Sequence, residues 1–257
     1  VILNSENQFL KRWNFNFSLL AQNSFFKKDE VVILNPFKKE ADQIMKNQNM
    51  LISALFNSTE KSGWNGNYRY INNQNLINAN FSLEENERDS HFINIGYRIT
   101  KNLRADWENT YGSIHNQSQL FSSRNYNLNT LETKPRITYK FSEAIQSELS
   151  GSYIQKNRTD GEEALDSVHF TGTLQWEKNK TSVRASFSMI NNDFTGNSFS
   201  VIGNTMLDGL KAGKNQVWSL YLQQNINSFI ILNVNYEGRN STDRTIHIGS
   251  VQIKASF

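Results

Sequence analysis

Few residues of this sequence have the types and spacing of a reactive centre. The four histidines are His91, His115, His169 and His247, and no two of them stand at the i, i+2 spacing that would put two metal ligands on one strand face. The chain contains no cysteine, which excludes thiolate ligands and a disulfide framework. We therefore expect neither a metal site nor a cofactor.

Nucleophilic catalysis would need a serine or aspartate next to a histidine. If alternate residues share a strand face, His169 can meet Ser186 or Ser188 from a neighbouring strand, and the sequence offers no better inward-facing combination. Serine is abundant on the same faces, so the coincidence carries little weight. Gly172 between two threonines is a lone strand glycine and not a phosphate loop. We expect that the protein is not an enzyme.

The elements that would position these side chains have a period of two residues. From about residue 90 onward, apolar and polar residues alternate almost without a break. Val168 and Phe170, for example, fall on one face, while His169 and Thr171 fall on the other. Strict alternation predicts β-strands with one apolar and one polar face, because helical spacing would scatter the charges all round.

The predicted strands are long. They run ~10–14 residues, whereas strands of soluble proteins peak at ~5–6 residues, and a tilted strand needs ~9–11 residues to cross a bilayer. No apolar run approaches the ~18–20 residues of a membrane helix. The sequence therefore predicts an all-β protein, an antiparallel transmembrane up-and-down β-barrel.

Counting strands back from the C-terminus predicts twelve strands between residues 48 and 257, an even number as closure requires, and fourteen strands is the alternative if the N-terminal segment adds to them, so about 12–14 strands are expected. Residues 48–257 are expected to form the barrel. Residues 1–47 are expected to be an N-terminal segment with at least one strand, where Trp13, Phe15 and Phe17 alternate with polar residues, and a charged connector. A short helix over 37–46 is the alternative for the connector. Short links are predicted near 100–102, 142–144, 177–180 and 226–228, and long links near 84–91, 112–130, 156–165, 191–214 and 239–244.

Charges of both signs occupy the polar face of the predicted strands. In a barrel of about twelve strands the interior is narrow enough for such side chains to pair and fill it, whereas a conducting pore more often gathers one sign at a constriction. A mostly plugged lumen is favoured, with a narrow pore as the alternative. The predicted lumen-lining residues are Arg104, Asp106, Glu108, Lys134, Arg136, Lys140, Glu148 and Arg184.

The composition agrees with a barrel and excludes several other classes. The net charge of +3 is too small to indicate nucleic-acid binding. The mean hydropathy of −0.60 does not argue against a membrane barrel, because lipid-facing and lumen-facing residues alternate and average to a polar value. The 37% of hydrophobic residues and 12% of aromatic residues exclude a disordered chain.

The C-terminal strand has a pattern of its own. Val251, Ile253, Ala255 and Phe257 fall on alternate positions, and the sequence stops on the phenylalanine. This pattern resembles the β-signal by which the outer-membrane assembly machinery recognises barrel substrates. Trp64 and Trp176 lie on the apolar face near strand ends, where interfacial anchors are expected.

The closing hairpin resembles that of large outer-membrane barrel proteins of the Bacteroidota. The resemblance covers Tyr236–Arg239 and Arg244–Gly249, and Pro135–Tyr139 is similar. It implies a location in the bacterial outer membrane of a Gram-negative cell and an assembly route, but no defined activity.

The expected function is that of an anchoring or scaffold subunit in a larger outer-membrane assembly. The alternatives are a narrow, porin-like channel or uptake pore for small solutes and, third, an outer-membrane hydrolase. The expected partners are outer-membrane lipids and lipopolysaccharide, the outer-membrane assembly machinery, and other outer-membrane proteins or lipoproteins. No nucleic acid is expected among them.

Overall fold

The fold was analysed in a computed structural model. It describes residues 13–28, 43–58, 63–79, 82–241 and 244–255. Within these ranges, no helix has both the length and the apolar character needed to cross a membrane.

Twelve antiparallel strands form one sheet in which each strand pairs with its neighbours in sequence. This confirms the predicted all-β, up-and-down arrangement. The strands are β1 (Trp13–Lys28), β2 (Gln43–Ser58), β3 (Trp64–Ala79), β4 (Ser82–Arg98), β5 (Leu103–Ser118), β6 (Tyr126–Lys140), β7 (Ile145–Arg158), β8 (Ala164–Lys178), β9 (Thr181–Thr195), β10 (Gly213–Asn225), β11 (Ile230–Ser241) and β12 (Arg244–Ala255). A short helix, α1 (Val201–Met206), lies between β9 and β10, and a 3₁₀ turn (Ser122–Arg124) precedes β6.

One face of the sheet carries a continuous apolar band. Side chains such as Trp107, Leu149 and Phe170 are 58%, 66% and 65% exposed on it. On β5 the band runs from Leu103 to Tyr111, about 27 Å along the strand at ~3.4 Å per residue, which is of the order of the ~25 Å apolar band of membrane barrels. Large exposed apolar side chains over so many strands fit a lipid environment and not water.

Several strands continue beyond the apolar band. Four links, 99–102, 141–144, 179–180 and 226–229, are short and lie at what we call the short-turn end; the opposite end is the α1 end. The predicted long link at 84–91 is wrong, since β4 begins at Ser82 and pairs with β3 and β5 through this stretch. The charges in this stretch suggested a loop, because Glu85, Glu87 and Asp89 lie on the apolar face of β4. The same face carries Ile93 closer to the short-turn end. The links predicted at 112–130, 191–214 and 239–244 are likewise partly strand.

The N-terminal strands belong to the same sheet. β1 lies within the predicted 1–47 segment, but β2 begins at Gln43, so the predicted boundary between residues 47 and 48 falls inside a strand. The half of β2 nearer the α1 end is polar, with Lys46 and Asn47, so the sequence pattern did not indicate where the strand begins. Twelve strands are reached only with β1 included, and a helix over the whole of 37–46 is excluded by the strand that starts at residue 43. Residues 29–42 lie outside the described ranges.

The sheet curls with its polar face inward. Residues 196–212, which join β9 to β10, contact the polar face from Ile114 on β5 to Arg239 on β11. One short segment can reach strands so far apart in order only if the sheet wraps around it.

The two outermost strands expose their free edges. Among the described residues, β1 pairs only with β2 and β12 only with β11. Leu19 on β1 is 70% exposed and Val251 on β12 is 69% exposed. The strand order is therefore that of an up-and-down barrel, while the pairing that would close it is absent from the described residues.

Candidate functional site

A charged cluster on the polar face centres on Arg104. Its guanidinium contacts Asp106 through Nη2 to Oδ1 at 2.6 Å and Nε to Oδ2 at 2.8 Å, and Nη2 also approaches Asn65. Asp106 is 8% exposed. A bidentate pair of this kind is stronger and more directional than a simple charge contact. Gly96 leaves the room for it, because a Cβ there would come within 2.4–2.8 Å of all three polar side chains.

A second cluster centres on Arg136. Its Nη2 donates to Glu108 on β5, and its Nε lies 3.7 Å from Glu148 on β7. Its ion pairs, like that of Arg104 with Asp106, join residues of the same or adjacent strands, and only the contact of Arg104 with Asn65 on β3 spans two strands. The prediction that the mixed charges line the polar face is consistent with these positions, but the pairs do not bridge across the interior as expected, since neighbouring strands already bring opposite charges within reach.

The other predicted lumen residues form no ion pair among the described residues. Lys134 is the register partner of Glu108 without an ion pair to it. Lys140 and Arg184 are exposed on the polar face, and Arg184 lies between Gln175 and Tyr221.

The segment 196–212 covers the polar face at the α1 end. Met206 is fully buried, and Ile202 and Leu207 are nearly so. They pack against a cluster formed by Ile114, Tyr126, Leu128, Leu165 and Phe194. These five residues have the polar-face parity of their strands, so the polar face is apolar beneath α1. Burying several large apolar side chains fixes the segment against the sheet.

Polar contacts hold the same segment. Lys156 Nζ donates to the Met206 carbonyl at 2.8 Å and to Asp208 Oδ2 at 2.6 Å. Asn192 and Asn215, both buried, donate to the Lys211 carbonyl. Ser200 caps α1 by accepting a hydrogen bond from the Gly203 amide at 3.0 Å. The cover is thus tied to the sheet at several points.

A serine and a histidine do meet beneath this cover. Ser167 Oγ lies 2.7 Å from His169 Nε2. The predicted partners are wrong, because Ser186 hydrogen-bonds Ser219 and Ser188 hydrogen-bonds Thr171. Ser167 stands two residues before His169 on the same strand, so it shares the histidine's face.

The hydrogen bonds around Ser167 do not suit catalysis. Asn192 uses its amide nitrogen to donate to the Lys211 carbonyl, so its oxygen accepts the Ser167 hydroxyl at 2.5 Å. The Ser167 hydroxyl has one proton and donates it to Asn192, so His169 must donate from Nε2 to the Ser167 oxygen. A protonated Nε2 cannot take a proton from Ser167, which is also only 1% exposed. The pair fits a structural role in holding the cover.

Rows of aromatic side chains border the apolar band. At the short-turn end, Trp64 packs against Tyr97 with the ring centroids 4.6 Å apart and the ring planes tilted by 35°, and Trp176 lies two residues from the end of β8. Both tryptophans are exposed, as expected for interfacial anchors. Towards the α1 end, two histidines are hydrogen-bonded to tyrosine hydroxyls. His91 Nδ1 lies 2.8 Å from the Tyr68 hydroxyl, and His247 Nδ1 lies 2.8 Å from the Tyr236 hydroxyl. All these groups lie on the apolar side of the sheet.

The predicted assembly-signal residues lie on the free edge. Val251, Ile253 and Ala255 share one face of β12, opposite Val234, Leu232 and Ile230 on β11. Phe257 lies outside the described residues. Their role in assembly stays a prediction.

Sequence reasoning missed the cover. Its signal was a capping serine, Ser200, followed by apolar residues at 202, 206 and 207 inside the longest link. Within the described part of the chain, no three histidine or acidic side chains come together as a metal site would require.

Comparison with known proteins gives structural likeness only. No protein-family model and no curated protein matches the sequence. The translocator domain of autotransporter NalP from Neisseria meningitidis is 10% identical with a TM-score of 0.39, covering 96% of this chain and 88% of that one. The loop L8 deletion mutant of OmpT, an outer membrane protein of Vibrio cholerae, is 8% identical with a TM-score of 0.48, covering 95% and 99%. The outer membrane channel DcaP of Acinetobacter baumannii is 9% identical with a TM-score of 0.45, covering 99% of each chain.

The molecule's own features decide its location. Twelve long antiparallel strands carry an exposed apolar band with aromatic side chains towards both edges, which is the arrangement of strand-built outer-membrane proteins. The chain is a bacterial outer-membrane β-barrel protein by its strand order and its surface.

Proposed function

We propose that this protein is a non-enzymatic anchoring or scaffold subunit of a larger outer-membrane assembly. The observation that carries the proposal is the cover over the polar face, in which Met206 is fully buried against the strands. A covered, ion-paired interior serves structure better than transport, and the Ser167–His169 pair lacks the proton arrangement of a hydrolase.

The apolar face offers a surface for a partner. A groove of about 1000 Å³ crosses it, lined by Trp107, Pro135, Leu149, Gly151, Phe170 and Gly172. Small and large residues stand opposite each other, as in the pairs of Pro135 with Trp107 and of Gly172 with Leu149. This alternation of small and large side chains forms ridges and hollows on the surface, into which side chains of another membrane protein can pack closely.

Site-specific crosslinking in native outer membranes tests the scaffold. A photoreactive amino acid at Leu149, in the groove, is expected to crosslink to one protein that also co-purifies with the chain in stoichiometric amount. Leu220, also exposed on the apolar face but outside the groove, is the matched control. Purification of the chain alone, with equal crosslinking to lipid at both positions, would refute the scaffold.

A narrow channel is the second candidate function. A polar cavity of about 540 Å³ at the short-turn end favours it, because the cavity opens on the same face as the charged clusters. Conductance of the purified protein in a planar bilayer separates the two functions. The scaffold predicts no conductance until residues 198–209 are replaced by a short flexible linker, whereas a channel conducts with the cover in place.

The remaining expectations belong to the same proposal. The expected partners are lipopolysaccharide and other outer-membrane lipids, the assembly machinery, and other outer-membrane proteins or lipoproteins. A Bacteroidota source is part of the proposal and rests on the resemblance of the hairpin at Tyr236–Gly249 and of Pro135–Tyr139.

A further inference from the structure

The cavity at the short-turn end is strongly basic. It is lined by five cations, Arg98, Lys101, Arg104, Arg136 and Lys140, against two carboxylates, Asp106 and Glu148. We call it the basic cavity. Lining side chains come from β4 to β7 and from the turn 99–102, so the site is built by several elements and not by one flexible loop.

Three of the five cations have no partner among the described residues. The carboxylates of the cavity are used by Arg104 and Arg136. Arg98, Lys101 and Lys140 form no ion pair or side-chain hydrogen bond in that part of the chain, and all three are exposed to the cavity's solvent. The local charge is therefore an excess of positive over negative groups.

The register makes this excess costly. Arg98 and Arg104 are direct cross-strand partners in the β4–β5 pair. Like charges in directly opposite positions destabilise a sheet. Asp106 offsets the charge of Arg104 only, so the Arg98 guanidinium faces another cation without compensation.

A buried donor points to the same site. Arg136 Nε is buried and forms no hydrogen bond, because Glu148 lies too far away at 3.7 Å. A buried guanidinium N–H without an acceptor is unfavourable. An oxyanion in the basic cavity would be attracted by this guanidinium and would offset the excess charge of Arg98, Lys101 and Lys140.

We propose that the basic cavity binds a small anion carrying two or more carboxylate or phosphate groups. Arg98 and Lys140 would bind one charged group through charge-assisted hydrogen bonds, and Lys101 in the turn 99–102 would bind another. The volume of about 540 Å³ accommodates a molecule of that size. This inference goes beyond the proposed function and does not depend on it.

Calorimetric titration of the purified full chain in detergent tests the site. The probes are citrate, for carboxylates, and pyrophosphate, for phosphates. We expect saturable binding of at least one probe that weakens at least tenfold in the double variant Arg98→Gln/Lys140→Gln. The control for the Arg98 change is Arg88→Gln, which removes one positive charge from the same face of β4 ten residues nearer the α1 end.

Each outcome decides the proposal. Tighter binding of citrate identifies carboxylates as the ligand chemistry, and tighter binding of pyrophosphate identifies phosphates. Absence of binding by the wild-type chain, or equal weakening in Arg88→Gln, would overturn the site. Arg88, Arg98 and Lys140 lie on the polar face of the sheet, whereas Leu149 lies on the apolar face, so the crosslinking experiment tests a different surface.

Discussion

At the scale of residues, glycine decides where the charged side chains fit. The cluster of Asn65, Arg104 and Asp106 fills the space that a side chain at position 96 would occupy. Gly96 is therefore a packing requirement of the cluster and not merely a flexible point in β4.

We expect Gly96→Ala to destabilise the protein by ~1–3 kcal/mol, the usual cost of overpacking. The added Cβ would displace Arg104 from Asp106. Unfolding in urea, with the protein in lipid vesicles, measures the change. Gly151→Ala is the control, since its Cβ would meet no atom closer than 3.8 Å, and an equal loss in both variants would contradict the argument.

The link between β7 and β8 contains a pH-dependent contact. Arg158 Nε donates to Asp160 at 2.8 Å, and the Asn127 amide donates to the same carboxylate. The hydrogen bond from Arg158 lowers the pKa of Asp160 below its ordinary value. The contribution to stability is therefore present above the ordinary pKa of an aspartate and is lost as the pH falls through the lowered value.

We expect Arg158→Gln to raise the pKa of Asp160 and to reduce the acid dependence of this link, while the Asn127 amide still donates to the carboxylate, with a stability change within ~0.2–1 kcal/mol. NMR of the carboxyl resonances across the acid range measures the pKa of Asp160 in the wild-type chain and in the variant. An unchanged pKa in the variant would show that Arg158 does not set it.

The sequence predicted the face of each charged residue but not its partner. A period of two places Arg104, Glu108 and Arg136 on one side of the sheet whatever the register. Which of them pair depends on the alignment of neighbouring strands, which alternation does not specify. The same reason explains why Ser186 and Ser188 were wrongly predicted beside His169, whereas Ser167, two residues earlier on the same strand, could have been found from the alternation alone.

At the scale of elements, the segment 196–212 has little regular structure apart from α1, yet buried side chains fix its position on the sheet. Gly203 allows α1 to lie on the preceding chain, because a Cβ there would come 2.2 Å from the Asn197 carbonyl oxygen. The helix has six residues, so its position depends on packing and not on its own stability.

We expect Gly203→Ala to lift the cover and to speed tryptic cleavage after Lys211 by roughly 10–100-fold, following an overpacking cost of ~1–3 kcal/mol. Asn204→Ala is the control in the same helix, since Asn204 is exposed. Cleavage at the wild-type rate in Gly203→Ala would show that the contact with Asn197 does not hold the segment.

Strand type and order could be predicted, while strand ends could not. The alternation of apolar and polar residues stops where the apolar band stops, but the backbone pairing of β4 continues through Glu85 and Asp89. Hydrogen bonds of the ladder need no particular side chain, so the strand outlasts its pattern.

At the scale of the whole molecule, the band and the edges set the relation to the bilayer. Every backbone N–H and C=O group within a bilayer needs a partner, so the free edges of β1 and β12 must each be paired there. Among the described residues, neither β1 nor β12 has the second partner strand that this rule requires.

We expect Leu232→Arg to destabilise the protein by ~2–4 kcal/mol in lipid, the cost of a cation near the bilayer midplane. Leu232 belongs to the apolar face of β11, one residue before Asn233 on the polar face. Asn233→Arg is the control, with a change of well under half that size, and equal costs would mean that Leu232 does not face lipid.

The extension of the strands past the apolar band divides each long strand into two solvent regimes. The backbone amides of β4 near Ile93 are shielded by lipid, whereas those near Glu85 belong to the same ladder in water. Deuterium uptake should therefore change abruptly along a single strand, with slow labelling from Ile93 to Arg98 and faster labelling from Ser82 to Asp89. The line where the rate changes, traced across all the strands by mass spectrometry, would map the membrane surface onto the sequence.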